Sequence, residues 1–219
     1  MILFGVSCIA TPFVDAHPEH VRMLRCRADS VLRFWQGDQE YLQGSNEAAR
    51  SLPGYYAHEF SPRTRREDVS LFVWDCFQDI WAPFFDINGY PTSFYDLKAE
   101  DRARLTQFPP LPLEALRALW LKVDALLTEQ GIRKGLIFVQ PDRLAATSPE
   151  LAELLARYKD TILAMISTLA PLGWNVFLIP HDAPRHPDGF WSHYEPSWLA
   201  NFVESAIKHC ENTPWTAPK

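Results

Sequence analysis

The sequence predicts an α/β fold: a three-layer, doubly wound sheet of about five parallel strands, in the order 2-1-3-4-5. Three observations carry this expectation. Five short apolar, β-branched segments recur along the chain. They lack a polar alternate face, as strands buried on both sides do. Segments with helical spacing lie between them, and strand–helix alternation with right-handed crossovers winds helices onto both faces of a parallel sheet.

The elements follow in order. The first strand covers 2–6; its apolar run breaks at Gly5 and delivers Ser7 to the strand tip. A weaker second strand covers 20–26. A helix over 30–35 presents Val31, Leu32, Phe34 and Trp35. The connection 36–67 mixes Gly, Asn, Ser and Arg and reads as a long loop. The third strand covers 69–74 and ends at Asp75. A second long loop, aromatic-rich, spans 76–112 and closes in Phe108-Pro109-Pro110-Leu111-Pro112. Loops of this length in a compact domain are usually lids or binding loops. Residues 113–127 carry an apolar stripe at 3.6-residue spacing through Leu116, Trp120, Val123 and Leu127. The fourth strand covers 135–139 and ends in Gln140-Pro141-Asp142. The helix at 148–169 opens with Ser148-Pro149-Glu150, a cap and first turn. The fifth strand covers 175–179 and ends in Pro180-His181-Asp182. The last helix covers 195–210, with Pro196 in its first turn.

Composition bounds the function classes. The 219 residues suit one α/β domain spanning 1–219, with 47% hydrophobic and 22% charged residues, as in a soluble globular chain. Aromatics reach 13%, so rings are expected in loops or a cleft as well as the core. The 18 prolines against 9 glycines imply stiff, irregular connections. A net charge of −6 argues against a nucleic-acid binder, whose affinity rests on clustered Lys and Arg. Cys8, Cys26, Cys76 and Cys210 form no C-x-x-C pair and read as small buried apolar residues. The apolar start is too short, and lacks the basic flank, for a signal peptide, and no run is long enough to span a membrane. The expectation is a cytoplasmic protein with no membrane insertion.

Ligands of open α/β sheets bind beyond the carboxyl ends of the strands, which places Ser7 where chemistry would occur. A serine nucleophile needs a base and a group that orients the base. Residues 181–194, between the fifth strand and the last helix, hold three histidines and two aspartates. His193 is the first choice to take the Ser7 proton and His186 the second; Asp188 or Asp182 would fix the tautomer. Cys8 is a weaker nucleophile candidate, because neighbouring strand residues face opposite ways. Backbone N–H groups at Ser7 and Cys8 would supply part of an oxyanion hole. Arg27, just past the second strand, is placed to hold a carboxylate or phosphate. Asp75 and Gln78, past the third strand, would orient a loop or contact substrate hydroxyls. The rings from Trp74 to Tyr95 are expected to divide between core packing and a sugar-stacking wall. His17-Pro18-Glu19-His20 reads as a solvated loop and Arg63-Thr64-Arg65-Arg66 as a solvated turn. No metal site is expected, and no Gly-rich phosphate loop follows a strand.

Several of these blocks together resemble a family. Ile2-Leu3-Phe4-Gly5-Val6-Ser7-Cys8 resembles the first block of the SGNH (GDSL-type) hydrolases. It is closer to a bacterial branch whose first strand ends in Gly-Ser-Cys, associated with capsule and surface-polysaccharide biosynthesis. Cys26-Arg27-Ala28-Asp29-Ser30 is similar to the Arg-Ser segment of that branch. Phe72-Val73-Trp74-Asp75-Cys76-Phe77-Gln78-Asp79 is similar to its strand–Asp–polar pair block. Tyr90-Pro91-Thr92-Ser93 and Ser192-His193-Tyr194 resemble its Thr-x-Ser and Phe-His-Tyr segments. Val6 stands where the branch has its first Gly. Asp188 to His193 exceeds the family's Asp-x-x-His spacing by two residues, and Asp182 to His186 by one.

The resemblance implies a flavodoxin-like SGNH sheet and a serine ester hydrolase or O-acyltransferase acting on an acylated carbohydrate or similar small ester. No cofactor is implied for hydrolysis; a transferase would use an acyl donor such as acetyl-CoA. The alternative is a catalytically inactive SGNH-fold protein that binds a glycan or partner protein through its aromatic loops. Oligomeric state is left open.

Overall fold

A computed structural model of the chain describes residues 1–5, 8–24, 27–50, 65–81, 83–93, 97–139, 149–180, 182–187 and 194–213, with the backbone alone at positions 8, 46, 48–50, 78, 81 and 93. Its strands are β1 (Ile2–Gly5), β2 (Val21–Met23), β3 (Leu71–Trp74), β4 (Phe84–Ile87), β5 (Tyr90–Ser93), β6 (Arg133–Val139) and β7 (Asn175–Ile179). Its helices are α1 (Thr11–Ala16), α2 (Ala28–Gln36), α3 (Gln39–Arg50), α4 (Phe77–Trp81), α5 (Ala99–Arg102), α6 (Leu113–Glu129), α7 (Pro149–Leu169) and α8 (Pro196–Asn212).

Five strands form one parallel sheet in the order β2-β1-β3-β6-β7. Counted within that sheet the order is the expected 2-1-3-4-5. The antiparallel pair β4–β5, which the sequence reading lacked, shifts the labels of the last two strands. In register, Ile2 lies opposite both Val21 and Leu71, and Gly5 opposite Trp74.

Side-chain alternation along the strands makes the three layers. Leu3, Phe72, Trp74, Leu136 and Phe138 point to one face and pack with Val31, Trp35, Trp120 and Ile162 of α2, α6 and α7. Phe4, Leu71, Val73, Ile137 and Val139 point to the other and pack with Phe13 of α1 and Leu199 and Val203 of α8. Both faces are covered, which is why the strands read as unbroken apolar runs. Each fully buried side chain of this size contributes about 1.5–3 kcal/mol. Gly5 is set by close approach: a Cβ there would lie 2.8 Å from the Phe72 ring and 3.0 Å from that of Trp74.

The two long loops of the sequence reading are corrected. Within 36–67, residues 39–50 form α3: Asp38 Oδ1 accepts the Tyr41 N–H at 3.0 Å, and the Tyr41 hydroxyl meets Ser30 Oγ at 2.7 Å. Residues 51–64 lie outside the described residues. Within 76–112 lie α4, the β4–β5 hairpin and α5. The hairpin turns on Asn88 and Gly89, at φ 56° and 89°. Positive φ at both central residues matches the twist of the flanking strands, and Asn-Gly supplies it at low cost. The segment at 106–108 joins β4 on its open side: Asp86 N–H donates to Thr106 O at 2.7 Å, and Phe108 N–H to Phe84 O at 2.8 Å. The residues at 8–16, left unassigned between the first two strands, form a 3-10 turn running into α1, with Pro12 in its first turn.

Candidate functional site

The described part of the strand-tip edge converges around the end of β1. Leu24 N–H donates to Phe4 O at 2.6 Å on one side, and Asp75 N–H to Gly5 O at 3.2 Å on the other. The order β2-β1-β3 therefore sets Arg27, just past β2, and Asp75, just past β3, on either side of the β1 tip. This is also where the chain reverses its direction of winding, the position at which doubly wound sheets open a crevice.

Asp75 is 2% exposed, and its Oδ1 accepts the Phe77 N–H at 2.9 Å. That bond starts α4. Four residues on, within α4, stands Asp79. Its Oδ1 reaches across the edge and accepts the N–H of Ala28, at 3.0 Å. Ala28 opens α2, where the Arg27 side chain makes no cap bond; Asp29 Oδ1 accepts the Ser30 N–H at 2.9 Å, and Asp79 satisfies a second orphan donor from another element. Burial is the main force on the Asp79 carboxyl; the charges of Asp29 and Asp75 add to it, the Ala28 N–H and Arg27 oppose it, and the result is pushed up to about 7. Cys76 is fully buried between these acids. Burial, then Asp75 and Asp79, raise its thiol well above the ordinary range, which makes it a poor nucleophile. Burial likewise raises Tyr158 of α7, whose ring meets Phe77 at 5.9 Å.

Arg27 is 7% exposed. Its Nη2 donates to Asp29 Oδ2 at 3.0 Å, and its guanidinium lies 5.0 Å from the Phe108 ring centre. Its Nε is buried with no acceptor among the described residues. Beside it opens a hollow of about 230 Å³. Arg27 and Asp79 form its inner side, Phe84 and Phe108 its hairpin side, and Arg157 of α7 its rim. A second hollow of about 350 Å³ adjoins it through Leu111 and Arg157.

No protein-family model, no curated protein and no solved structure matches the chain.

The other sequence-predicted residues fall as follows. Ser7, Asp188 and His193 lie outside the described residues, as do the side chains of Cys8 and Gln78. Asp182 is exposed in the turn after β7, and His186 is half-buried beyond it. Tyr194 bridges back to Arg185, and Glu195 N–H donates to Pro184 O at 2.9 Å, so the segment leaves and returns at the foot of α8. Glu195 caps that helix by accepting from the N–H groups of Ser197 and Trp198. Bonds from Ser197 and Trp198, and then the charge of His186, hold its carboxyl below the usual range. Of the rings expected in part as a stacking wall, Trp74, Phe77, Phe84 and Phe85 are buried. Tyr90 packs on Tyr41 at 5.4 Å. No described helix is long and apolar enough to cross a membrane.

The sequence reading missed Asp79, Phe108 and Arg157 as site residues. The four-residue spacing of Asp75 and Asp79 across the start of α4 was an available signal for the first.

Proposed function

We propose that this chain is an SGNH-like serine ester hydrolase or O-acyltransferase acting on an acylated carbohydrate or similar small ester. The supporting observation is the sheet order: Gly5, two residues before Ser7 in sequence, ends β1 between the tips of β2 and β3. In this reading Ser7 Oγ attacks the ester carbonyl while His193 takes its proton. The tetrahedral intermediate collapses, and His193 returns the proton to the departing alkoxide, leaving an acyl-Ser7 ester and a free alcohol. Water, or an acceptor hydroxyl in a transferase, then attacks the acyl group and regenerates Ser7. Asp188 or Asp182 orients the imidazole. Cys76 takes no part, because its thiol is buried and held protonated. A transferase drawing the acyl group from a donor such as acetyl-CoA would release the CoA thiol, protonated by His193, in place of the alcohol, and the second attack would then need an acceptor pocket that excludes water.

Fluorophosphonate labelling of the full chain and of Ser7→Ala tests the reading. Labelling of the wild type, its loss in Ser7→Ala and parallel loss of p-nitrophenyl acetate hydrolysis are expected. Equal labelling of the two proteins overturns it.

A further inference from the structure

We propose that the hollow between Arg27, Asp79 and Phe108 is a binding site for the carboxylate of a small organic acid with an apolar body. The proposal does not depend on chemistry at Ser7.

The charge arrangement carries the argument. Two guanidinium groups border one cavity of about 230 Å³. Arg27 is buried to 7% exposure, yet among the described residues the only hydrogen bond of its guanidinium is the one from Nη2 to Asp29. Its Nε has no acceptor among them. Arg157 makes one long contact, 3.5 Å from Nη2 to Leu111 O, and no ion pair with a described carboxylate. A buried guanidinium with free donors costs stability unless an acceptor arrives. Asp29, partly exposed, offsets part of this charge. Asp79, the acid among the lining residues, has its carboxyl pushed up to about 7 by burial, and in its neutral form it can donate a hydrogen bond to an incoming anion. Arg27 Nε is therefore a buried donor beside the cavity with no acceptor among the described residues, and Arg157 meets only the distant Leu111 O.

The walls select among anions. Phosphate sites in proteins are built largely from backbone N–H groups in glycine-rich loops or nests. Here Pro83, Pro109 and Pro110 form part of the wall, and proline has no N–H to give. A planar carboxylate, by contrast, matches the edge of a guanidinium in two parallel bonds. Phe84, Phe108 and Ile80 supply an apolar surface for the rest of the molecule. Phe108 is held in place from both sides, by its N–H bond to Phe84 and by the Arg27 guanidinium against its ring. The ligand class is thus a compact monocarboxylate with a hydrocarbon or aromatic body.

Calorimetric titration of the full chain with benzoate, acetate and inorganic phosphate tests this. Benzoate is expected to bind saturably, with acetate and phosphate both weaker. Arg157→Gln, at a half-buried position with a single long contact, should weaken benzoate about tenfold, the value of a lost charge-assisted hydrogen bond. Arg27→Gln should abolish binding, and if that variant fails to fold, Arg157→Gln decides. Absence of saturable benzoate binding, or unchanged affinity in Arg157→Gln, overturns the site. Tighter binding of phosphate than of benzoate overturns the carboxylate assignment. Benzoate is also titrated into Ser7→Ala. Retained affinity there assigns the binding to the guanidinium hollow even if the esterase reading has failed. Lost affinity there with none lost in Arg157→Gln overturns the proposal.

Discussion

Replacing Asp79 with asparagine isolates the energetic cost of burying a carboxyl beside the β1 tip. The native chain holds this group at about 7, against 3.8 for the free side chain. The displacement is about three pH units, and each unit corresponds to about 1.4 kcal/mol, so the full effect is roughly 4 kcal/mol. Because the folded pKa is raised, the native state keeps a proton that the unfolded chain has already released. Stability linked to this group is therefore intact below about pH 4, declines as pH rises, and is lost once pH exceeds about 7. The amide introduced by Asp79→Asn cannot ionise, and its oxygen can still accept the Ala28 N–H that the carboxyl accepts in the native chain. The variant should match the wild type at pH 4 and exceed it by roughly 4 kcal/mol at pH 8. Urea unfolding followed by tryptophan fluorescence, repeated across that range, measures the difference directly. A difference that stays flat within about 1 kcal/mol, or a variant less stable at pH 8, would refute the reasoning.

Three further substitutions probe other parts of the structure. Lys134 is 5% exposed and donates from Nζ to Asp124 (2.6 Å), Thr128 (2.9 Å) and Leu172 O (3.2 Å). Lys134→Ala strands a buried carboxylate and should cost about 3–5 kcal/mol in denaturant unfolding, whereas a loss below about 1 kcal/mol would mean that Asp124 is satisfied by the Trp174 indole alone. Gly5→Ala forces a methyl against the rings of Phe72 and Trp74 and should destabilise by about 1–3 kcal/mol; an unchanged melting temperature would show that the rings yield freely. Gly89→Ala meets no atom within 4 Å, so its cost comes only from the backbone at φ 89° and should be about 1–2 kcal/mol, with equal stability arguing against the turn geometry.

The parallel strands were legible because burial on both faces removes polar residues from them, and 135–139 and 175–179 lie within or coincide with β6 and β7. The long helices were legible for a similar reason, since one apolar stripe faces one sheet face. α3 was not, because Gly44, Ser45 and Asn46 are loop-forming locally. Ser45 is buried in place, and Gly44 packs directly against the Tyr90 ring of the hairpin, so tertiary contact overrides local preference there. The hairpin was legible in principle: Asn88-Gly89 between apolar residues is its ordinary signal, hidden by reading 76–112 as one aromatic loop. Within the candidate site, Arg27 followed from being the first polar residue beyond the second strand. Arg157 did not, because its position depends on how α7 packs against α4, an element far earlier in the chain, and no local pattern encodes that.

The aromatic residues packed against one sheet face have an optical consequence. Trp74 and Trp174 lie 6.2 Å apart at 40°, and Phe72 touches both as well as Trp35. Indoles held that close and that skewed sit in a fixed, asymmetric setting, so the native chain should carry a distinct near-ultraviolet circular dichroism band. Loosening of the interior would extinguish that band even where every helix persisted, giving a label-free readout of side-chain order apart from backbone order.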